Sequence, residues 1–312
     1  MASRIDFDFP GYVAARKGEA AARIREGAAY AYGGDLKVRA ALERVRPVTL
    51  AMEAGIRFWH SVGKDRLLGN AVRVGAKQFP EVAKLVDVCA SALQIDPPAL
   101  YVSPKIGYLE TETLGTSDEV AIVIGTGLAA HLSPDELTAV IGHSCGAIQN
   151  NHVPFLTAMY LLRKGGSKIV RWAAQPAVLG LRGWARRAEI TCDRASLICT
   201  RRIEATVAAM VKRAIGTSEF FATLDIEEYL RQLDEEQAGR GRFGELFAAH
   251  PTLPKRVKAL RLFAQTTYFR SVMGDGATAV GASGEAPAMT KEECDAQVAD
   301  LLAVLGSQGG AE

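Results

Sequence analysis

Apolar side chains recur at three- and four-residue steps through much of this chain, which predicts a mainly helical protein. Residues 12–78 show the pattern at Ala20, Ile24 and Ala28, then at Leu36, Val38, Leu42 and Val45 ahead of Pro47, so residues 1–78 read as a helical N-terminal extension. Val82, Leu85, Val86 and Cys89 continue it as an amphipathic helix over residues 79–93, which Asp96-Pro97-Pro98 ends. The period then shortens. Residues 99–102, 106–114 and 120–124 are short strand candidates broken by Pro104, Gly107 and Gly115, enough for a sheet of three strands.

Helical spacing returns after Leu132. Ser133-Pro134-Asp135-Glu136 is a helix start, with a capping Ser, a first-turn Pro and a Glu three residues on. Further helices are expected over 184–215, 218–237 and 254–269. A Gly/Ala-rich linker and a last helix opened by Thr290-Lys291-Glu292-Glu293 make up residues 275–312. Residues 79–274 form the central domain, and the fold class is α+β.

Composition changes this picture little. The 312 residues are 48% hydrophobic and 23% charged with a net charge of +2, too balanced for a nucleic-acid partner. Five scattered cysteines without C-x-x-C spacing argue against a disulfide framework and a cysteine-bound metal, and the N-terminus lacks the apolar stretch of a signal peptide. A cytoplasmic location follows as an expectation. Residues 151–188 hold seven bases and no acid, with Trp172 and Trp184 interleaved. They read as a helical hairpin with a solvated basic face, or as a peripheral contact with an anionic membrane.

The chemistry concentrates in residues 132–152, LSPDELTAVIGHSCGAIQNNH. Its centre, Gly142-His143-Ser144-Cys145-Gly146, spells the G-x-S-x-G of a serine hydrolase, with Ser144 as nucleophile. That reading needs a buried strand over 137–141 and a His downstream of an acid, and His250 is the only late His. The same helix also matches part of H-E-x-x-H, in which two His one turn apart bind zinc and the Glu activates water. Here His143 is present, Ser144 stands at the Glu position and Ala147 at that of the second His. Cys145 lies about 200° and His152 about 180° around the helix from His143, so neither reaches the same metal and His152 is expected to be structural.

Downstream come Glu189-x-x-x-Asp193-Arg194-Ala195, then His250-Pro251 and Arg256. With the LSPDEL helix start and the preceding strands, this ordered series resembles the HtpX-like zinc metallopeptidases, which include the CaaX prenyl endoproteases, in a form without membrane spans. The resemblance implies a zincin-like domain in which His143 and Glu189 are remnant zinc ligands, while Asp193 and His250 stand behind the ligands and orient them. It also implies a substrate-edge motif, and 109–114 read LETETL instead. No cofactor is expected for the chain as written, and zinc enters only through the resemblance. The expected function is that of a pseudoprotease that binds a protein or peptide, with His143 and Glu189 hydrogen-bonded across two packed helices. A zinc endopeptidase using unexpected ligands and a Ser144 hydrolase remain as alternatives.

Overall fold

A computed structural model of the chain describes residues 27–164, 175–216, 223–239, 250–273 and 289–303. In chain order the described elements are α1 (Gly33–Leu42), α2 (Arg46–Phe58), α3 (Lys64–Leu68), β1 (Val72–Arg73), α4 (Pro80–Leu93), β2 (Ala99–Ser103), β3 (Thr111–Gly115) and β4 (Val120–Gly125). They continue with α5 (Thr126–His131), α6 (Pro134–Gln149), α7 (Val153–Lys164), α8 (Gln175–Thr200), α9 (Ile203–Ile215), α10 (Ile226–Gly239), α11 (Leu253–Ala264), α12 (Thr267–Met273) and α13 (Lys291–Leu302). The fold is α+β and mainly helical, as the periodicity predicts.

The sheet has four strands in the order β1-β2-β4-β3, with β2 and β4 parallel and the outer pairs antiparallel. The fourth strand corrects the expectation of three. Val72 and Arg73 pair with Val102 and Tyr101, a two-residue register too short to leave an alternating pattern. It also ties the N-terminal stretch into the sheet. The first 26 residues, including Ala20 and Ile24, lie outside the described part.

Helix α6 is buried around most of its circumference, with Leu137, Ala139, Val140, Ile141 and Cys145 at 4% exposure or less, so it runs through the centre of the protein. Its start is the predicted capping box: Glu136 N–H donates to Ser133 Oγ, and Ser133 N–H donates to Glu136 Oε2 at 2.8 Å. The helix expected over 184–215 is two helices. Arg201, at φ 55°, breaks the run between α8 and α9, and Thr200 Oγ1 accepts the freed Arg202 N–H at 3.3 Å. A non-glycine residue in the left-handed region gives no compositional signal of such a stop.

Both ends of the described chain pack on α8. Asp35 of α1 is fully buried and accepts hydrogen bonds from Trp184 Nε1 (2.9 Å) and Thr191 Oγ1 (2.7 Å). His152 Nε2 lies 2.9 Å from Asp35 Oδ2 and its ring meets Trp184 edge-on, a structural setting as expected. Arg194 of α8 pairs with Asp295 of α13 at 2.7 Å and donates to the Tyr30 carbonyl. The basic stretch folds as α7 followed by α8, with Lys168, Arg171 and Trp172 outside the described residues and Trp184 fully buried. Among the described residues no helix is long and apolar enough to cross a membrane.

Candidate functional site

The site forms where α6 and α8 cross closely. A Cβ on Gly142 would come within 2.9 Å of Cys199 Cβ and Sγ, and one on Gly146 within 2.4 Å of Ala195 Cβ. These two glycines let the helix backbones approach. They frame the G-x-S-x-G motif, but their role is packing. Ser144 sits in mid-helix, 1% exposed, and its hydroxyl donates back to the Val140 carbonyl at 3.3 Å. A nucleophile elbow needs a strand-to-helix turn with an exposed hydroxyl, so this geometry removes the serine-hydrolase reading.

One helical face carries His143 toward α8, where Nε2 lies 3.3 Å from Glu189 Oε2 and 3.7 Å from Asp193 Oδ1. The cross-helix contact between His143 and Glu189 is the one expected from the sequence. Ala147, one turn beyond His143, also faces the cavity and supplies no donor atom. Cys145 is fully buried on another side of the helix, where burial pushes its thiol up, above the ordinary range. His152 does not enter the cluster.

The cluster is completed from the chain segment around α11. His250 Nδ1 lies 2.9 Å from Glu189 Oε1, in direct contact with the residue it was expected to support from behind. Arg256 reaches further in. Its Nη2 lies 2.9 Å from Glu189 Oε2 and donates to Asp193 Oδ1 at 2.6 Å, while Nε donates to Asp193 Oδ2 at 2.9 Å. The guanidinium thus grips Asp193 with a two-pronged fork and Glu189 with one prong.

Electrostatics follow from this arrangement. Burial alone would raise the Glu189 carboxyl, but the nearby charges of Arg256, His250 and His143 hold it well below the usual carboxylate range. Burial works against the charged form of Arg256, and Asp193 and Glu189 more than offset it, so its pKa lies above the usual range. The Glu189 charge likewise raises His250. Arg213, the other cation here, is lowered by burial first and by the like charge of Arg256 second.

Do these residues fit zinc? The donor atoms of His143, Glu189 and Asp193 lie within 4.8 Å of one another. A catalytic zinc normally takes three protein ligands and leaves one position for water. Here both Asp193 oxygens and Glu189 Oε2 already face the Arg256 guanidinium, Ala147 offers nothing, and the Ser144 hydroxyl points away. The three donors could hold a metal ion, but the water-activating Glu and the second His of H-E-x-x-H are absent and the carboxylate oxygens are shared with Arg256. A cavity of about 630 Å³ opens over the cluster, walled by Leu156, Met159, Leu181 and Met210 and by Thr111–Thr113 of the edge strand β3.

This order of helices, with His143, Glu189, Asp193, His250 and Arg256 drawn to one point, corresponds to a known family over residues 76–264. The chain belongs to peptidase family M48. It is similar to the plastoglobule-localized metallopeptidase 48 of Arabidopsis thaliana chloroplasts, at 30% identity over 53% of this chain and 49% of that protein. It is also similar to protease HtpX homolog 1 of Streptomyces coelicolor, at 26% identity over 68% of this chain and 80% of the relative. The HtpX homolog of Moorella thermoacetica is 24% identical over 70% and 83%. The chain therefore spans about half of the plastoglobule protein and most of the HtpX homologs. No solved structure matches it.

The protein is metallopeptidase-like in fold and family, and the HtpX-like resemblance holds. Two contributors to the site were not legible as such from the sequence. Arg256 was visible as part of the His-Pro…Arg series, but not its clamp on two carboxylates. Arg213 carried no signal at all.

Proposed function

We propose that this chain is a catalytically degenerate M48 metallopeptidase that binds a protein or peptide segment without hydrolysing it. The observation that carries the reading is the Arg256 clamp: a fixed cation already pairs with both Glu189 and Asp193, in a site whose water-activating Glu is replaced by Ser144 and whose second His by Ala147. A second cation among these groups would sit against the guanidinium at a few ångströms, where like charges repel.

Support for binding comes from the cleft. Strand β3 is an edge of the sheet and Thr111, Glu112 and Thr113 line the cavity, so an extended segment has main-chain partners on one side and apolar side chains on the other. Thr111 Oγ1 is buried there without a hydrogen-bond partner. Cytoplasm is the location this reading assigns, since all five cysteines are free and buried thiols.

Metal analysis of the purified protein tests the reading. We expect substoichiometric zinc and no cleavage of unstructured protein substrates. Stoichiometric zinc together with cleavage that disappears in His143→Ala would favour the second reading, a metallopeptidase that uses the His143, Glu189 and Asp193 donors. The double substitution Ser144→Glu with Ala147→His restores the missing groups on the same helical face. It is expected to raise zinc uptake above that of the parent, and a folded double mutant that takes up no metal would count against a lost metal site.

A further inference from the structure

Of the four arginines that line the cleft, Arg182 and Arg213 have no assigned counterpart, and Arg213 alone has a side-chain nitrogen shut off from solvent without a partner. Arg163 pairs with Glu112, and Arg256 is taken by Glu189 and Asp193. On the last turn of α9, Lys212 pairs with the buried Glu136 at 2.8 Å, while its neighbour Arg213 lines the cavity. Among the described residues Arg213 makes no ion pair or hydrogen bond, and its Nε is shut off from solvent. Glu110, exposed and accepting a hydrogen bond from Gly107 N–H, lines the same cavity without pairing with Arg213. A guanidinium does not shed its proton, so this half-buried one, with its Nε shut off from solvent and unpartnered, carries a standing cost that a bound anion would reduce.

The surroundings select among anions. Glu110, Glu112 and Glu189 line the same cavity as Arg213, so a dianionic group such as phosphate would meet three carboxylates there. A monoanion suits a single free guanidinium better. The apolar wall fixes the rest of the ligand. From Glu189 back to Leu181 is eight residues of α8, about 12 Å along a helix, which matches about three to four residues of extended peptide. The edge strand β3 faces the same cavity.

We propose that Arg213 is a carboxylate-recognition site, and that the cleft takes an extended peptide whose apolar side chains lie toward Leu156, Met159 and Leu181 and whose carboxylate reaches Arg213. This rests on the peptide-binding reading above. The carboxylate can come from an acidic side chain or from a free C-terminus, two sources of the same chemistry.

Isothermal titration with three N-acetylated pentapeptides separates the cases: Leu-Val-Leu-Glu-Ala amide, the same peptide with Gln for Glu, and the Gln peptide with a free C-terminal acid. We expect one of the two carboxylate-bearing peptides to bind at least tenfold more tightly than the Gln amide. The tighter one identifies the source, and Arg213→Gln erases the difference. Equal binding of all three, or a preference that survives Arg213→Gln, overturns carboxylate recognition and leaves peptide binding standing. No binding of any peptide overturns both. Thermal unfolding of the free protein is an independent check. Removing a half-buried cation with an unpartnered Nε should leave the melting temperature unchanged or raise it, whereas a marked fall would show that Arg213 serves the fold and overturn the assignment.

Discussion

Arg256 joins the charges of this site at the scale of single atoms, with one guanidinium holding oxygens from two carboxylates one helical turn apart. All three side chains are largely buried, so breaking the set leaves uncompensated charge. Arg256→Gln is expected to destabilise the protein by about 3–5 kcal/mol, the range for removing one partner of a buried ion pair. Urea unfolding of wild type and variant would check this, and a change within experimental error would mean that the clamp is not what neutralises Glu189 and Asp193. If a bound metal neutralised them instead, the variant would keep its stability in zinc and lose it in chelator. Ser144 belongs to the same scale. Its hydroxyl is satisfied inside the helix by Val140, so Ser144→Ala should leave the site's geometry intact.

Elements decide whether these residues meet. His143 and Glu189 are 46 positions apart, and the crossing of α6 on α8 brings them to 3.3 Å. That crossing depends on Gly142 and Gly146, where added side-chain atoms would collide with Cys199 and Ala195. Gly146→Ala places a methyl against the Ala195 methyl, and neither can rotate away. The gain in helix propensity from Gly to Ala, about 1 kcal/mol at most, is opposed by an overpacking cost of about 1–3 kcal/mol. We expect net destabilisation and a longer distance between His143 and Glu189, read by thermal unfolding and by nuclear magnetic resonance contacts between the two side chains. An increase in melting temperature would show that the helices can separate without loss.

For the whole molecule, the two ends of the described chain clasp α8 and so support the site from behind. Asp35 and His152 sit at that junction, next to Trp184 and Thr191. Burial raises the Asp35 carboxyl, but His152 together with the hydrogen bonds from Thr191 and Trp184 outweighs it and the net shift is downward. A carboxyl whose folded pKa is depressed adds stability above its unfolded value of about 3.9, and that contribution disappears as pH falls through the lower folded value. Asp35→Asn should therefore cost about 3–5 kcal/mol near neutral pH, and the gap between variant and wild type should close below the carboxylate range. Acid titrations of both proteins by circular dichroism test this. A gap that stays constant down to low pH would mean that Asp35 acts through its shape and not its charge.

The sequence by itself determined the helices, the Ser133 capping box, the family and the identity of the degenerate positions, because local periodicity and ordered motifs are written along the chain. His143 could be named from the partial H-E-x-x-H spacing, and Glu189 and Asp193 through the family resemblance of the ordered motifs. It could not place β1, whose two residues pair across 30 and 28 positions, nor the break at Arg201, where a side chain occupies a conformation usually left to glycine. Nor could it tell that Gly142 and Gly146 serve a helix crossing rather than a nucleophile elbow. Only the tertiary structure decided which charges share a space. Arg256 is 63 residues from Asp193 and 67 from Glu189, and no local pattern encodes a contact between helices so far apart. The vacancy at Ser144 and Ala147 is a fact of sequence, and the guanidinium that answers it is a fact of folding.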